Sequence, residues 1–138
     1  MISNRKAYFD YNVLETFEAG ISLLGTEVKS IRLGMANISN AYCSLENGEI
    51  FLLNMSISKY KFSRSNHNEL RNRKLLLKNR EIKRLIRSKE KSFTIIPLKV
   101  YFNQRGYVKV TIGLCSGKKD IDKRRAIKER ELRREAGI

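Results

Sequence analysis

The sequence predicts a mainly β fold with short helices, built as an antiparallel barrel of the oligonucleotide-binding-fold type with a flexible basic C-terminal tail. Five or six short stretches rich in β-branched and aromatic residues recur along the chain, and turn signals separate them. The chain has 138 residues, of which 41 % are apolar, enough for one domain with its own core. We expect a barrel domain with flanking helices over residues 1–116 and a basic tail over residues 117–138.

The N-terminal part predicts a strand followed by a helix. Residues 8–24 mix aromatic and β-branched types, which favours a strand with a break at Gly20. Residues 25–34 predict a short helix in which Thr26 serves as the N-cap and Gly34 ends the last turn.

The middle of the chain contains the clearest turn signal. Asn47-Gly48 lies between two apolar stretches, and both positions of a type I′ turn need positive φ, so residues 37–57 predict a β-hairpin. Residues 58–68 are polar and rich in Ser and Asn, which indicates a loop.

Helix formers dominate the segment from Arg71 to residue 92, which contains neither Gly nor Pro. We expect helix there, interrupted at Asn79, which would cap a second helical piece. The apolar face of that piece would consist of Ile82, Leu85 and Ile86.

Residues 93–116 return to strand character. Pro97 lies in a long apolar run and suggests a sheet edge or a bulge. Residues 103–106 form a turn signal, and residues 108–115 alternate between apolar and other types, as in a half-buried strand.

The tail predicts little packing. The apolar residues of segment 117–138 are sparse and form no continuous face, although charged pairs four residues apart favour helix. An isolated helix of about 16 residues is marginal in water. We therefore expect the tail to be disordered alone and to become helical against a polyanion.

Charge is the strongest guide to function. The net charge is +15, yet residues 1–70 sum to zero, whereas residues 71–91 carry +8, residues 92–116 carry +3 and residues 117–138 carry +4. Such concentration indicates a polyanionic partner. RNA, DNA and an anionic membrane all satisfy the charge, and nucleic acid is favoured among them.

Other functional classes receive little support. Cys43 and Cys115 are far apart and His67 is the single histidine, so a zinc site or an acid–base site is not indicated. We expect no cofactor and no enzymatic activity, with His67 solvated in its loop. No apolar run approaches the roughly 18 residues of a spanning helix, and residues 1–10 lack a signal-peptide core, so we expect a cytoplasmic protein and no membrane partner.

A series of short motifs resembles the SsrA-binding (SmpB) family of bacterial trans-translation, in order and over almost the whole chain. The motifs are Asn4-Arg5-Lys6-Ala7, Phe17-Glu18-Ala19-Gly20, Glu27-Val28-Lys29-Ser30, Ala36-Asn37-Ile38, Gly48-Glu49, Phe51-Leu52, Arg71-x-Arg73-Lys74-Leu75-Leu76-Leu77, Arg80-Glu81-Ile82, Pro97-Leu98-Lys99-x-Tyr101, Lys109-Val110-x-Ile112-Gly113, Gly117-Lys118-Lys119, Asp122-Lys123-Arg124 and Ile127-Lys128-Glu129-Arg130.

This resemblance implies a non-enzymatic, monomeric RNA-binding protein. Its barrel would hold the tRNA-like domain of transfer-messenger RNA, and its tail would enter the decoding site and the empty messenger channel of a stalled ribosome. The implied partners are transfer-messenger RNA and the small ribosomal subunit with its rRNA, together with alanyl-tRNA synthetase and elongation factor Tu as indirect partners. The outcome would be ribosome rescue and the tagging of incomplete proteins for degradation.

The resemblance also assigns site residues. The expected RNA-binding residues are Asn4, Arg5, Lys6, Glu18, Arg73, Lys74, Leu76 and Lys109. The expected ribosome-binding residues of the tail are Lys118, Lys119, Asp122, Lys123, Arg124, Lys128 and Arg130. Ile121 stands where the family usually has His or Tyr, so an aromatic stack at that point is not expected.

Two alternatives remain from the residues themselves. A general single-strand-binding protein of the same fold would bind pyrimidine-rich RNA as well as a folded tRNA mimic. An RNA-processing enzyme would cleave labelled RNA in the presence of magnesium.

Overall fold

Strands of one large antiparallel sheet make up most of the structure, a computed structural model that describes residues 1–89 and 92–117. The strands are β1 (Ile2–Ser3), β2 (Tyr11–Ile21), β3 (Ala36–Asn37), β4 (Tyr42–Glu46), β5 (Glu49–Leu53), β6 (Ser56–Ile57), β7 (Arg73–Leu76), β8 (Thr94–Phe102) and β9 (Val108–Gly117). The helices are α1 (Arg5–Asp10), α2 (Gly25–Arg32) and α3 (Asn79–Lys89). The predicted tail, apart from its first residue, lies outside the described residues.

The sheet curls into a partly open barrel. Its strand order is β1-β8-β9-β2-β7-β5-β4, with every neighbouring pair antiparallel, and β4 returns to lie beside β8. The short strands β3 and β6 pair separately. This architecture confirms the predicted mainly β fold with short helices. The structure has more strands than expected because β1, β3 and β6 contain two residues each, too few for a sequence pattern.

The barrel interior holds the main core, and a second cluster lies on the outside of the sheet. Val108, Val110, Ile112 and Leu114 face the interior, as their alternation predicts. The strand is nevertheless not half-buried along its length, because Cys115 on its other side packs with Leu98 and with Ala7 of α1. Helix α1 therefore covers one end of the outer surface of β8 and β9.

Helix α1 corrects the prediction of a strand over residues 8–24. Asn4 begins the helix, because its side-chain oxygen accepts the Ala7 amide at 3.2 Å. The chain becomes extended only at Tyr11 and continues as β2 through Gly20 to Ile21. The aromatic residues that suggested a strand in residues 8–10 are compatible with one short helical turn packed on the sheet.

The helix over residues 25–34 is confirmed, with a different start. Its N-cap is Leu24, whose backbone N–H donates to Glu27 Oε1 at 2.8 Å, and Gly34 ends it with φ of +74°. The predicted cap, Thr26, instead shares a 2.8 Å hydrogen bond with His67 Nδ1. His67 is buried, and its Nε2–H donates to the Ile57 carbonyl at 2.8 Å, so the prediction of a solvated histidine is wrong.

Three predicted turns and distortions are confirmed. Asn47 and Gly48 both have positive φ and join β4 to β5. Gly106 has φ of +82° in the turn between β8 and β9. The register of β8 against β9 shifts after Pro97, as expected for a bulge at this residue.

The predicted helix from Arg71 is wrong in its first half. Residues 73–76 form β7, in which Arg73 and Leu75 are buried while Lys74 and Leu76 are exposed. Pairing with β2 on one side and β5 on the other overrides the helix preference of this Leu-rich segment. The second helical piece predicted from Asn79 is confirmed as α3, although Asn79 is its first residue rather than its cap, and the Lys78 carbonyl accepts the first helical bonds.

Candidate nucleic-acid interface

The candidate interface is the part of the outer sheet surface that α1 leaves open. Glu18 of β2 lies opposite Thr111 of β9, and Lys109 of β9 lies opposite both Gly20 of β2 and Tyr101 of β8. Directly paired residues project to the same side of a sheet. We call this surface the outer face; its members are Glu18, Gly20, Lys74, Leu76, Lys99, Tyr101, Lys109 and Thr111.

Glu18 is an exposed carboxylate held in place from both neighbouring strands. The Thr111 hydroxyl donates to its two oxygens at 2.9 and 3.1 Å, and the Tyr101 hydroxyl donates to Oε2. The hydrogen bond to Glu18 raises the pKa of Tyr101 above its ordinary value, because it stabilises the protonated phenol. A carboxylate offers about four lone-pair positions, so Glu18 retains acceptor capacity for an external donor.

Cations share the outer face with this carboxylate. Lys99 Nζ lies 5.2 Å from the centroid of the Tyr101 ring, within the range of a cation–π contact. Lys74 Nζ lies 3.0 Å from Glu49 Oε1, with both side chains about half exposed. The outer face therefore combines cations with a fixed acceptor, which suits a surface that contacts both phosphates and a donor on a base or ribose.

A glycine makes room for the central part of the outer face. A Cβ atom built on Gly20 would lie 3.3 Å from Leu76 Cβ and 3.7 Å from Lys109 Nζ. Leu76 is 54 % exposed, so it lies on the surface rather than in the core. Gly20, Leu76, Lys109 and the exposed Tyr107 border a shallow cavity of about 350 Å³. An apolar floor beside an ammonium group suits a base or ribose joined to a phosphate.

Arg5 and Lys6 are exposed on α1, the helix that covers the other end of the same sheet surface. Their elements therefore place these two cations on the side of the barrel that carries the outer face. Of the eight predicted RNA-binding residues, six are at least partly exposed, namely Arg5, Lys6, Glu18, Lys74, Leu76 and Lys109.

Asn4 and Arg73 are buried instead. Asn4 is 2 % exposed, and its side-chain N–H group donates to the carbonyls of Pro97 at 2.9 Å and Ile38 at 3.2 Å. Arg73 is fully buried, with Nη1 donating to the Met55 carbonyl at 2.7 Å. Neither side chain is therefore exposed for direct contact with RNA.

The partner of Arg73 is Glu27, also fully buried. Arg73 Nε donates to Glu27 Oε2, and Arg71 Nη2 donates to Oε1 at 2.6 Å. Burial alone would raise the pKa of Glu27, but the hydrogen bonds from Arg71, the Leu24 amide and Arg73 hold it below its ordinary value. The ion pairs join α2 to β7, the strand that presents Leu76.

Sequence reasoning missed Tyr101, Thr111, Lys99 and Gly20 as members of the surface. The alternation of residues on β8 and β9 is visible in the sequence, but it does not give the register that sets Thr111 beside Glu18. The tail residues assigned to ribosome binding lie outside the described part of the chain.

Two further observations concern alternative functions. Within residues 1–89 and 92–117, no helix is long and apolar enough to cross a membrane. Cys43 and Cys115 are both buried free thiols, and no group of three metal-ligating side chains occurs in that same part of the chain.

Comparison with known proteins agrees with the fold. The family model described as SmpB protein matches residues 1–137. An SsrA-binding protein of Thermosipho africanus (strain TCF52B) is 54 % identical over 134 residues, covering 96 % of this chain and 90 % of the relative. An SsrA-binding protein of Chlorobaculum tepidum is 50 % identical over 141 residues, covering 97 % and 87 %.

A solved structure described as "tmRNA-SmpB: a journey to the center of the bacterial ribosome" superposes with a TM-score of 0.72 at 48 % identity. The similarity covers 85 % of this chain and 83 % of that one. Sequence and structure agree over nearly the full length of each relative. The chain belongs to the SmpB family.

Proposed function

We propose that this chain binds the tRNA-like domain of transfer-messenger RNA and delivers it to stalled ribosomes in the bacterial cytoplasm, acting without catalysis. The observation that carries the proposal is the outer face, where Glu18, Leu76 and Lys109 of three neighbouring strands surround Gly20. Membership of the SmpB family supports it, since relatives are described as SsrA-binding proteins. The proposed outcome is the rescue of the ribosome and the tagging of the incomplete protein.

The chemistry of the outer face fits a folded RNA better than a general single strand. A fixed carboxylate such as Glu18 repels phosphates and binds only a correctly placed hydrogen-bond donor, such as a guanine edge or a ribose 2′-hydroxyl. Leu76 contacts a base or sugar, and Lys109 contacts the adjoining phosphate. Arg5 and Lys6 add phosphate contacts from α1, and Lys74 adds one from β7.

The buried pair of predicted residues supports this surface indirectly. Asn4 fixes the start of α1 on the sheet and thereby positions Arg5 and Lys6. Arg73 fixes β7 to α2 and thereby positions Lys74 and Leu76. We assign both residues a positioning role in RNA binding.

Residues 117–138 supply the ribosome-binding part of the proposal. Lys118, Lys119, Asp122, Lys123, Arg124, Lys128 and Arg130 are the residues we assign to it. The six basic residues among them fit the decoding site and the empty messenger channel, both lined by RNA phosphates. Alanyl-tRNA synthetase and elongation factor Tu are proposed as indirect partners, through the shared RNA.

Binding of a tRNA-like RNA to variants of the outer face tests the first part. Lys109→Ala should weaken binding about 10-fold and reduce the salt slope by about 1, because one phosphate contact is lost. Glu18→Ala should weaken binding, because it removes the acceptor for the donor on the RNA, and the loss should be clearest at high salt, where the repulsion between the carboxylate and phosphates is screened. Lys61→Ala and Glu69→Ala, on exposed residues of the loop before β7, serve as controls.

A result in which pyrimidine-rich single strands compete as well as the folded RNA would favour the general single-strand-binding alternative. Cleavage of labelled RNA in the presence of magnesium would favour the enzyme. Either outcome would contradict the proposal.

A second experiment separates the tail from the barrel. The double substitution Lys123→Glu and Arg124→Glu should leave binding of the tRNA-like RNA intact and abolish tagging in a translation assay with a truncated message. If affinity for the RNA and tagging fell together, the division between barrel and tail would be wrong.

A further inference from the structure

The Glu18 carboxylate is fixed by two hydroxyl groups that come from different strands. In the outer face, Glu18 of β2 is paired with Thr111 of β9, and Thr111 is paired in turn with Lys99 of β8. Tyr101 lies two residues beyond Lys99 on β8, and its hydroxyl reaches across β9 to the same carboxylate. Two neighbouring strands therefore hold this one side chain.

The two hydroxyl groups leave the oxygens of Glu18 in different states. Thr111 Oγ1 shares its one hydrogen between Oε1 at 2.9 Å and Oε2 at 3.1 Å, and the Tyr101 hydroxyl donates to Oε2. Oε2 thus accepts from two hydroxyl groups, whereas Oε1 accepts from Thr111 alone. Because each carboxylate oxygen has about two lone-pair positions, the open acceptor position lies on Oε1.

Neither hydroxyl group is free to donate to RNA. Thr111 is 5 % exposed, and each hydroxyl carries a single donor hydrogen, which is used on Glu18. The bond to Glu18 also raises the pKa of the Tyr101 phenol, as expected for a donor whose hydrogen the carboxylate stabilises. As donors, the two hydroxyl groups can therefore act on RNA only through the carboxylate that they hold.

A fixed carboxylate binds a donor more tightly than a freely rotating one does. An exposed Glu side chain has several rotatable bonds, and ordering them on binding costs conformational entropy. In this chain, Thr111 and Tyr101 order the Glu18 side chain when the barrel folds. The donor on the RNA then meets one position and one direction, so its binding does not carry that entropic cost.

The open position on Oε1 suits a single donor. A guanine edge presents two parallel N–H donors and needs a free position on each carboxylate oxygen, but Oε2 already accepts from both hydroxyl groups. A ribose 2′-hydroxyl donates one hydrogen and needs one acceptor position. The geometry of Glu18 therefore favours the ribose.

Neighbouring cations place the sugar–phosphate backbone, rather than the edge of a base, beside Glu18. Lys109 Nζ lies 3.7 Å from a Cβ built on Gly20, and Gly20 is two residues from Glu18, about 7 Å along β2. Lys99 lies in the same row as Glu18, two strands and about 10 Å away. A 2′-hydroxyl is never more than one nucleotide unit from a phosphate, so phosphates bound by these cations bring riboses to the carboxylate.

We propose that Tyr101 and Thr111 are positioning residues for RNA binding, which hold Glu18 so that its Oε1 accepts one hydrogen bond from a ribose 2′-hydroxyl. This inference rests on the proposed function and deepens it, because it names the group on the RNA that Glu18 binds. It makes Glu18 a point at which the protein distinguishes RNA from DNA.

One arm of the test changes the protein. Tyr101→Phe and Thr111→Val each remove one donor and keep the shape of the side chain, and each is made in the full chain with Glu18 present and with Glu18→Ala. Tyr42→Phe and Thr94→Val make the same chemical changes on exposed residues of β4 and β8 and serve as controls. Binding of the tRNA-like RNA is measured at a salt concentration that screens phosphate repulsion, and urea unfolding checks that each variant is folded.

Each donor variant should lower the affinity about 3- to 10-fold when Glu18 is present and less than about twofold in the Glu18→Ala background. A purely structural role would lower the affinity equally in both backgrounds. Thr111→Ser, which retains a hydroxyl group, should bind within about twofold of the wild type, and so should both controls.

The other arm changes the RNA. Single 2′-fluoro substitutions, which remove the hydroxyl donor and keep the ribose pucker, are introduced one position at a time in the tRNA-like RNA, and inosine replaces each guanosine in turn. One 2′-fluoro position should weaken binding of the wild type about 3- to 10-fold and leave binding of Glu18→Ala within about twofold.

Three outcomes would overturn the inference. Equal losses in both backgrounds would show that Tyr101 and Thr111 only support the fold. A loss that depends on Glu18 but follows inosine would assign Glu18 to a guanine edge, and the absence of any 2′-fluoro position that depends on Glu18 would remove the ribose contact. Failure of the wild-type chain to bind the unmodified tRNA-like RNA would instead refute the proposed function, and the inference would fall with it before any variant is compared.

Discussion

Replacement of Arg73 by Met is expected to destabilise the barrel strongly. Arg73 is fully buried, and its guanidinium donates to Glu27 and to the Met55 carbonyl. Met preserves much of the side-chain volume but removes every donor. The substitution therefore leaves the fully buried Glu27 carboxylate with Arg71 as its remaining cationic partner.

The magnitude follows from the cost of an incompletely paired buried charge. Removal of one partner from a buried ion pair costs about 3 to 5 kcal/mol, whereas replacement of both partners by apolar residues is often near neutral. We therefore expect Arg73→Met to lower the free energy of unfolding by about 4 kcal/mol. The double variant Glu27→Met with Arg73→Met should recover a large part of that loss.

The Glu27 ion pairs also predict how the stability difference between the wild type and Arg73→Met changes with pH. The pKa of Glu27 is below its ordinary value of 4.5, so its ion pairs stabilise the native state above about pH 4.5 and lose that effect as the pH falls through the native pKa. In Arg73→Met, Glu27 loses the hydrogen bond from Arg73, which lowers its pKa, while its burial, which raises the pKa, remains. The pKa of Glu27 should therefore rise. The stability difference between the wild type and the variant should therefore narrow as the pH falls below about 5.

Urea unfolding followed by circular dichroism measures both effects. With a slope of about 2 kcal/mol per molar urea, a loss of about 4 kcal/mol moves the midpoint by about 2 M. Lys74→Met is the matched control, since the neighbouring Lys74–Glu49 pair is about half exposed and worth less than about 1 kcal/mol. A midpoint for Arg73→Met within the error of the control, or a stability difference that widens at low pH, would refute this reasoning.

Packing and thiol chemistry give two further predictions. Gly113→Ala should lower the free energy of unfolding by about 1 to 3 kcal/mol, because the new Cβ would lie 2.9 Å from Cδ1 of the buried Leu98. In the control Gly25→Ala, the new Cβ has no atom within 4 Å, so the substitution should be neutral or slightly stabilising. Equal midpoints for the two variants would contradict this. Burial raises the pKa of the Cys43 thiol and raises the pKa of the Cys115 thiol to about 11. Neither thiol should therefore react with a disulfide reagent at neutral pH until urea unfolds the chain. Rapid labelling of the native protein would contradict the burial of these two thiols.

Local signals predicted part of the fold correctly. The Asn47-Gly48 turn and the Gly106 turn depend on backbone conformations that few residues adopt, so their sequence signals are reliable. The segment around β7 failed because Leu and Lys favour helix in isolation, while hydrogen bonds to β2 and β5 decide its conformation in the folded chain. Pairing between distant strands is not encoded in a local pattern.

The candidate site likewise depends on contacts between distant strands that local sequence patterns do not show. Glu18, Leu76 and Lys109 came from the family resemblance, and their separation in the sequence gives no hint that they surround Gly20. Composition likewise cannot separate a buried cation from an exposed one. Arg73 and Lys74 are adjacent and chemically similar, yet strand alternation buries the first and exposes the second.

Because some cations are buried or paired, the net charge overstates the number of cations that can contact RNA. Residues 71–91 carry +8, but Arg71 and Arg73 are held by Glu27, Lys74 by Glu49 and Arg84 by Glu15. Three of the carboxylates that neutralise this segment therefore come from residues 1–70, the half of the chain that sums to zero. A phosphate gains least from a cation whose charge a buried carboxylate already satisfies, because that pair would have to be broken first. The salt dependence of RNA binding should accordingly reflect only those cations that remain exposed, and its slope should be smaller than the formal charge of the chain suggests.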